Sequence, residues 1–206
     1  LATVNRSTAG SKTKTLNEDS TKDVTTLADC VKQGGISLGQ ADVYQLKSVS
    51  MATAFGAYSS TGAIDITDRY ELDNGQRDNF YDIGRIKLKE NELEPTGTLR
   101  ITFDFFSHGS GDYFDVDSYT GVVSYANIPS YTSDTTGQPF ELRDSLDFRP
   151  RVADDSTINS GGQDRDYDTT NNASIIDVVK FGTDITSDFE YYLPRIDKIF
   201  LDKEGA

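Results

Sequence analysis

The chain has 206 residues, of which 35% are hydrophobic, and it carries a formal net charge of −14. This length suits one large β domain or two small ones, and the negative charge excludes nucleic acid and disfavours anionic membrane surfaces as partners. The single cysteine excludes an internal disulfide, and no segment approaches the apolar length that spans a membrane.

The first 40 residues are rich in Thr, Ser, Lys and Gly and predict short edge strands or an N-terminal arm. Thr26 can cap one helical turn between residues 25 and 31, which Gly34 and Gly35 would end. Residues 41–206 are predicted to form a separate β-rich domain. Because the first residue is not Met and the last residues resemble a turn without a returning strand, we expect an excerpt of a longer chain.

The central part of the chain carries the clearest strand patterns. Residues 41–52 are dense in β-forming side chains, and Asn74-Gly75 predicts a two-residue hairpin loop because both residues tolerate positive φ. Residues 98–106 alternate between apolar and polar side chains. One face of that strand carries Leu99, Ile101, Phe103 and Phe105. The segment HGSG then predicts a turn that leaves His108 in solvent, and residues 112–119 predict an antiparallel return strand.

The last third of the chain is predicted to be irregular before it returns to strands. Residues 153–174 are polar and predict a surface loop, and residues 175–181 and 189–201 predict the final strands. No long amphipathic helix and no internal repeat is visible. The sequence therefore predicts an all-β fold, an antiparallel β-sandwich-like domain with long polar loops.

Few residue types that carry catalysis are present. One histidine and one cysteine cannot assemble a structural zinc site, which needs four such ligands. His108 lies beside Ser107 and near Asp104, but neighbours on one strand point to opposite faces and cannot form a triad. Acidic residues are too abundant to single out a glycosidase pair, and tryptophan, the usual platform for sugars, is missing. The sequence predicts no enzyme.

Calcium is the one cofactor that the sequence leaves open. Asp164, Asp166 and Asp168 alternate as in an EF-hand loop, but Thr169 and Ile175 replace the glycine and glutamate that such a loop requires. A second acidic set, equally incomplete, comprises Asp112, Asp115 and Asp117. We therefore expect solvated acidic loops and predict no cofactor.

The segment SLDFRPR, residues 145–151, combines arginines, aspartates and a proline. A phosphate site would need a basic neighbourhood, whereas these arginines lie among acids with which a guanidinium pairs bidentately. Pro150 fixes φ and ends a strand. We predict a structural latch that fastens an irregular segment to the sheet. Its residues are Arg143, Asp144, Asp147, Arg149 and Arg151.

Four long strings follow one another in the chain: DRYELDNGQRDNFYDIGRIKL, GTLRITFDFFSHGSGDYFDVDSY, LRDSLDFRPRV and YYLPRIDKIFL. Together they resemble a domain of virion structural proteins of tailed bacteriophages, of the T-even-like myophage and cyanophage type, found in baseplate and tail-fibre proteins. The resemblance covers residues 41–202.

The resemblance implies a non-enzymatic structural or assembly module located in the virion, in the phage tail or baseplate. Its implied partners are other virion proteins and copies of its own parent chain, without nucleic acid or membrane. The alternative is a receptor- or glycan-binding module on the same appendage. An open groove lined by tyrosines would favour that alternative, and the candidates are Tyr113, Tyr119, Tyr125 and Tyr131.

Overall fold

A computed structural model describes residues 9–31, 34–59 and 61–155, together with Tyr167 and Gly182. The strands in these ranges are β1 (Lys14–Val24), β2 (Ile36–Ala41), β3 (Val43–Met51), β4 (Ile64–Asp65), β5 (Tyr70–Asp73), β6 (Ile83–Leu88), β7 (Leu99–His108), β8 (Ser130–Thr132) and β9 (Pro139–Glu141). A single α-helical turn, α1 (Leu27–Cys30), begins at the predicted cap, where Thr26 Oγ1 accepts from the Asp29 amide. The strands predicted at 175–181 and 189–201 lie outside the described residues.

All strand pairs in these ranges are antiparallel, and the predicted all-β, sandwich-like fold is confirmed. The larger sheet has the order β1-β7-β3-β4, the second sheet has the order β2-β6-β5, and β8 pairs with β9. Strand β1 forms an edge of the larger sheet and pairs with β7 from Lys14–His108 to Val24–Leu99. Helices in the described part of the chain are too short to cross a membrane.

The main core lies between the two larger sheets. The predicted alternation along β7 is confirmed, because Leu99, Ile101 and Phe103 are buried in this core while Phe105 packs at its margin. The other sheet contributes residues from β2, β5 and β6 to the same core, namely Ile36, Leu38, Tyr70 and Ile86. Burial of these apolar side chains is the dominant stabilising contribution.

The opposite face of β7 is buried in its second half, at Asp104, Phe106 and His108. A second apolar cluster joins Phe106 to Tyr119, Ile128, Tyr131 and Leu142, so the segment that follows β7 covers this face of the larger sheet. The predicted return strand at residues 112–119 is wrong. Residues Val116–Tyr119 form a 3-10 turn, and Phe114 pairs with Asp147 instead of with β7.

His108 is buried, so the prediction that it lies in a solvated turn is wrong. Strand β7 continues to His108, where the imidazole packs against the rings of Tyr81 and Phe114 with centroid distances of 5.0 and 4.6 Å. The turn begins one residue later than the sequence pattern predicts.

The hairpin between β5 and β6 turns later than predicted. Its chain reverses at Asp78 and Asn79, next to the backbone hydrogen bond from Arg77 to Phe80. Gly75 has φ +82 where the register between the two strands shifts, and a Cβ there would lie 2.0 Å from the carbonyl oxygen of Asp82. Of the two residues predicted to need positive φ, Gly75 has it and Asn74 does not, and at Gly75 it serves a strand irregularity.

Asp42 is the single residue between β2 and β3, which belong to different sheets. Its φ of +56 lies in the left-handed region, which is unfavourable for a residue with a side chain. The chain therefore passes from one sheet to the other at Asp42, and this corner directs its carboxylate toward the end of β7, where His108 lies.

Candidate functional site

Asp147 and Arg149 form a largely buried ion pair within the predicted latch. The Arg149 guanidinium donates to both carboxylate oxygens of Asp147, with distances of 2.9 Å to Oδ1 and 2.8 Å to Oδ2. The Arg149 backbone amide also donates to Oδ1 of the same carboxylate. The side chain of Arg149 is 10% exposed and that of Asp147 is 6% exposed. A bidentate pair of this kind is a strong, geometrically specific interaction.

The Arg149 side chain joins the latch to the hairpin between β5 and β6. Its Nη1 donates to the carbonyl oxygen of Arg77 over 3.0 Å, and its guanidinium carbon lies 4.4 Å from the Tyr81 ring centre and 4.6 Å from that of Tyr131. Burial lowers the pKa of Arg149, but the Tyr81 oxygen and the Asp147 carboxylate raise it by more. The net pKa lies above the ordinary value of arginine, so the guanidinium stays charged.

The remaining latch residues do not join this pair. Arg151 is buried and donates to Asp154 over 2.6 Å and to Gln40 of β2 over 3.2 Å. Arg143 contacts Glu141 and Asp144 at the partly exposed surface. The structure thus places Asp147, Arg149 and Arg151 in buried contacts, whereas Arg143 and Asp144 contact each other and Tyr125 at the surface.

Tyr81 connects the latch to a second buried set of charges. Its hydroxyl donates a hydrogen bond to Asp147 Oδ2. The same hydroxyl oxygen accepts hydrogen bonds from Arg149 Nη2 and from Lys14 Nζ, both with a donor–acceptor distance of 3.3 Å. Lys14 is at the start of β1, and Tyr81 lies just before β6. The hydroxyl therefore bridges segments that are remote in sequence.

Lys14, Asp42 and His108 form a buried charged cluster, called here the Lys14–Asp42–His108 cluster. Lys14 Nζ donates to Asp42 Oδ2 over 2.6 Å, and His108 Nε2 lies 2.7 Å from the same oxygen. Gln76 Nε2 donates to the other oxygen, Oδ1, over 3.0 Å. The side chains of Lys14, Asp42 and His108 are 0%, 2% and 0% exposed.

Aromatic rings surround the Lys14 ammonium group. The nitrogen lies between 4.5 and 5.3 Å from four ring centres, those of Tyr81, Phe114, Tyr119 and Phe106. The ring faces attract the cation and exclude water from it. Lys14 is thus held in a dry cage whose anionic partner is the Asp42 carboxylate.

The charges in this cluster follow from burial and pairing. Burial lowers the pKa of Lys14, but Asp42 and the other nearby acidic groups raise it above its ordinary value. Burial raises the pKa of Asp42, but Lys14 and His108 lower it well below its ordinary value. Burial also lowers the pKa of His108, to about 4. Lys14 and Asp42 are therefore an ion pair at neutral pH beside a neutral imidazole.

The tautomer of His108 follows from its partner. Because the Asp42 carboxylate only accepts hydrogen bonds, Nε2 carries the proton and donates it. Nδ1 is then an acceptor, and it has no hydrogen-bond partner among the residues that the structure describes. A proton donor therefore points at the Asp42 oxygen that also binds Lys14.

The sequence did not reveal this cluster. Lys14 lies in β1, Asp42 lies at the corner between β2 and β3, and His108 lies at the end of β7. No local spacing relates these three residues. Lys14 lies in the polar segment predicted as an edge strand or arm. The one available indication was the presence of a single histidine directly after the best strand pattern.

An open cavity of about 460 Å³ lies beside the latch. Tyr131 and Phe140 stack along it with centres 6.3 Å apart and planes 13° apart, and Tyr131 also donates a hydrogen bond to Asp78. Polar side chains on its walls include Asn79, Ser133, Thr136, Gln138 and Ser145. The cavity therefore combines a flat aromatic surface with hydroxyl and amide groups.

The four tyrosines predicted as candidate ligand contacts do not converge. Tyr131 lines the cavity. Tyr119 is 1% exposed beneath Phe106, and its assignment as a ligand-facing residue is corrected because it is part of the core. Tyr125 is exposed beside Arg143, and Tyr113 is half-buried against Phe148.

Within the described ranges, no group of three or more His, Cys, Asp or Glu side chains is arranged to hold a metal ion. Asp112 accepts from the Gly10 amide, and Asp115 caps the 3-10 turn that contains Asp117. The other acidic set, Asp164, Asp166 and Asp168, lies outside the described residues.

No protein-family model, curated protein or solved structure matches the chain.

Proposed function

We propose that this chain is a non-enzymatic structural module of a tailed-phage appendage, in the baseplate or tail fibre. It acts there with other virion proteins and with copies of its parent chain. The resemblance of the four strings supplies the class of particle. The argument for a structural role comes from two buried ion pairs, Lys14–Asp42 and Asp147–Arg149.

The observation that carries the proposal is the pairing of Lys14 with Asp42 and of Asp147 with Arg149. These groups would be the natural candidates for acid, base or anion-binding chemistry, yet both pairs are withdrawn from solvent. Each pair also contacts Tyr81, so together they hold β1, the sheet corner, the hairpin and the latch segment. Contacts that join four separate segments of the chain suit a structural module that must keep its fold when mechanical force acts on the particle.

The test is to find the parent protein in purified phage particles. An antibody raised against the folded chain should label the tail or baseplate of intact virions in electron micrographs. Particles from a phage in which this domain is deleted should be unlabelled and serve as the control. Absence of the chain from wild-type particles, or release of sugar from host polysaccharide by the pure chain, would contradict the proposal.

The second candidate is a receptor- or glycan-binding module on the same appendage. The open cavity favours it, because stacked Tyr131 and Phe140 provide a platform for a sugar ring, and nearby hydroxyl and amide groups can bind its hydroxyls. Host surface glycans are the ligands that fit this chemistry.

A matched pair of variants tests the second candidate. Phe140 is 40% exposed at the cavity, and Phe55 is 37% exposed outside it. If the cavity binds glycans, Phe140→Ala should abolish binding to host-cell polysaccharide while Phe55→Ala should leave it unchanged. Equal binding by both variants would assign the binding to another surface.

A further inference from the structure

We propose that Lys14 and Asp42 condense to form an intramolecular amide bond between the lysine Nζ and the aspartate Cγ, with His108 as the hydrogen-bond donor to the leaving oxygen. The proposal rests on the Lys14–Asp42–His108 cluster and does not depend on the phage assignment. A primary amine and a carboxyl group are held in hydrogen-bond contact inside a dry cage, which is the arrangement that direct condensation requires.

Proximity is the first supporting feature. Lys14 Nζ lies 2.6 Å from Asp42 Oδ2, so the amine is next to the carboxyl carbon without any conformational search. Groups held in this way react as if at very high local concentration, because the entropy of bringing them together has been lost during folding. The ring of aromatic side chains around Nζ limits its freedom further.

The dry environment is the second feature. In water an ammonium and a carboxylate are strongly hydrated, and this hydration opposes their conversion to an amide. In this cluster both groups have lost that hydration, so water no longer opposes condensation. Their mutual pairing still keeps both groups charged, and the proton transfer from Nζ to Oδ2 has to overcome it. Exclusion of water also opposes hydrolysis of the bond once it has formed.

The two carboxyl oxygens have different partners, and this is the third feature. Gln76 Nε2 donates to Oδ1 alone, whereas His108 Nε2 and Lys14 Nζ both contact Oδ2. A donor at Oδ1 stabilises the negative charge that develops there during attack on Cγ. At Oδ2, Lys14 Nζ supplies the protons that the leaving oxygen needs, and the hydrogen bond from His108 Nε2 stabilises that oxygen as it departs.

The reaction balances without any added reactant. One proton moves from Nζ to Oδ2 along their hydrogen bond, and the amine lone pair then forms the bond to Cγ. The nitrogen then carries two protons and a positive charge, and one of these protons moves from Nζ to Oδ2. The Cγ–Oδ2 bond breaks as the carbonyl at Oδ1 re-forms, and Oδ2 leaves as water. His108 keeps its proton and stabilises the departing oxygen through the hydrogen bond from Nε2, and the amide keeps Oδ1 and one N–H. An ammonium and a carboxylate have become an amide and one water.

The backbone at Asp42 gives independent support. Its φ of +56 lies in the left-handed region, which aspartate adopts more readily than most residues with a side chain, and it directs the side chain from the corner between the sheets to the start of β1. A covalent bond here would tie β1, an edge strand, to the point where the chain changes sheets.

Intact-mass spectrometry of the wild-type protein tests the proposal. The measured mass should be lower than the mass calculated from the sequence by one water. Trypsin should then release a branched peptide in which residues 13–22 are joined to residues 33–47, because cleavage after a modified Lys14 is blocked. A mass equal to the calculated one overturns the proposal. Loss of water within an unbranched peptide, as in an aspartate succinimide, also overturns it.

Two variants assign the reacting groups. Lys14→Arg keeps the positive charge but removes the nucleophilic amine, so this protein should have its full calculated mass whether or not it folds well. Loss of water in Lys14→Arg would place the reaction elsewhere and overturn the proposal. His108→Ala should lower the condensed fraction in freshly purified protein. An unchanged fraction would overturn the role assigned to His108.

Discussion

Arg149 and Arg143 belong to one short segment but have different surroundings. Arg149 is buried with Asp147 and contacts two tyrosine rings, whereas Arg143 pairs with Glu141 at the partly exposed surface. Removing one member of a buried ion pair leaves an uncompensated charge, while exposed pairs contribute little to stability. The two arginines should therefore differ strongly in their effect on folding.

Replacing these arginines gives the first prediction. Arg149→Ala should lower the free energy of unfolding by about 3–5 kcal/mol because it leaves the Asp147 carboxylate buried and unpaired. Arg143→Ala should change it by no more than about 0.5 kcal/mol. Urea denaturation followed by circular dichroism measures both. Equal losses for the two variants would show that the buried pair does not stabilise the fold.

The second prediction concerns pH. The pKa of His108 is lowered from 6.5 to about 4 because burial disfavours the charged imidazole. Between these values the unfolded chain binds a proton at this residue and the folded chain does not. The contribution of His108 to the free energy of unfolding should therefore be fully present above pH 6.5. The free energy of unfolding should fall by about 3 kcal/mol as the pH drops from 6.5 to about 4.

A variant isolates this contribution. His108 is the single histidine in the chain, so His108→Gln should remove the decrease between pH 6.5 and about 4. The contribution of lowered aspartate pKa values lies at more acidic pH and should persist in the variant. Denaturant titrations at a series of pH values provide the measurement, and an unaltered pH profile in His108→Gln would contradict the assignment.

At the scale of elements, β7 is the strand on which the fold is organised. It pairs with β1 and β3 in the larger sheet, and its two faces pack in different clusters. Phe103 is buried in the main core, whereas Phe105 on the same face is half-buried at its margin. The strand therefore offers two identical side chains with different burial.

The third prediction compares these phenylalanines. Phe103→Ala should lower the free energy of unfolding by about 3–5 kcal/mol because it removes a fully packed ring and leaves a cavity. Phe105→Ala should lower it less, because that ring already contacts solvent. Thermal and urea unfolding of both variants provides the comparison. A melting temperature for Phe103→Ala within a degree of wild type would show that this face of β7 was misassigned.

Some of these elements could be predicted from sequence because their pattern is local. Alternation along residues 98–106 assigns Leu99, Ile101 and Phe103 to one face, and Thr26 with Gly34 predicts the helical turn. Alternation does not tell what covers the opposite face. The turn predicted after β7 left His108 in solvent, whereas the chain that follows returns over that face and buries it.

The candidate site was even harder to predict from local sequence patterns than the strands were. Arginine and aspartate within one short segment predict the Asp147–Arg149 pair. The partners of that pair come from the hairpin and from β1, and the Lys14–Asp42–His108 cluster is assembled entirely from remote segments. Such contacts depend on how sheets pack, and a period-two pattern carries no information about that packing.

At the scale of the whole molecule, buried charges connect its parts. The Lys14–Asp42–His108 cluster and the Asp147–Arg149 pair meet at Tyr81, and Lys14 contacts rings of two apolar clusters, Phe114 in one and Phe106 in the other. Because buried polar groups are costly unless they are paired, this arrangement favours one packing of the layers over alternatives.

The final prediction concerns association of the isolated chain. Its net charge of −14 sets up a repulsion between copies that opposes self-association in solution. We expect a monomer in sedimentation-velocity experiments at physiological salt over a wide range of protein concentration. Raising the salt concentration screens the repulsion and serves as the control for its electrostatic origin. A stable dimer of the isolated chain at physiological salt would contradict this expectation and would move the contacts between copies onto the domain itself.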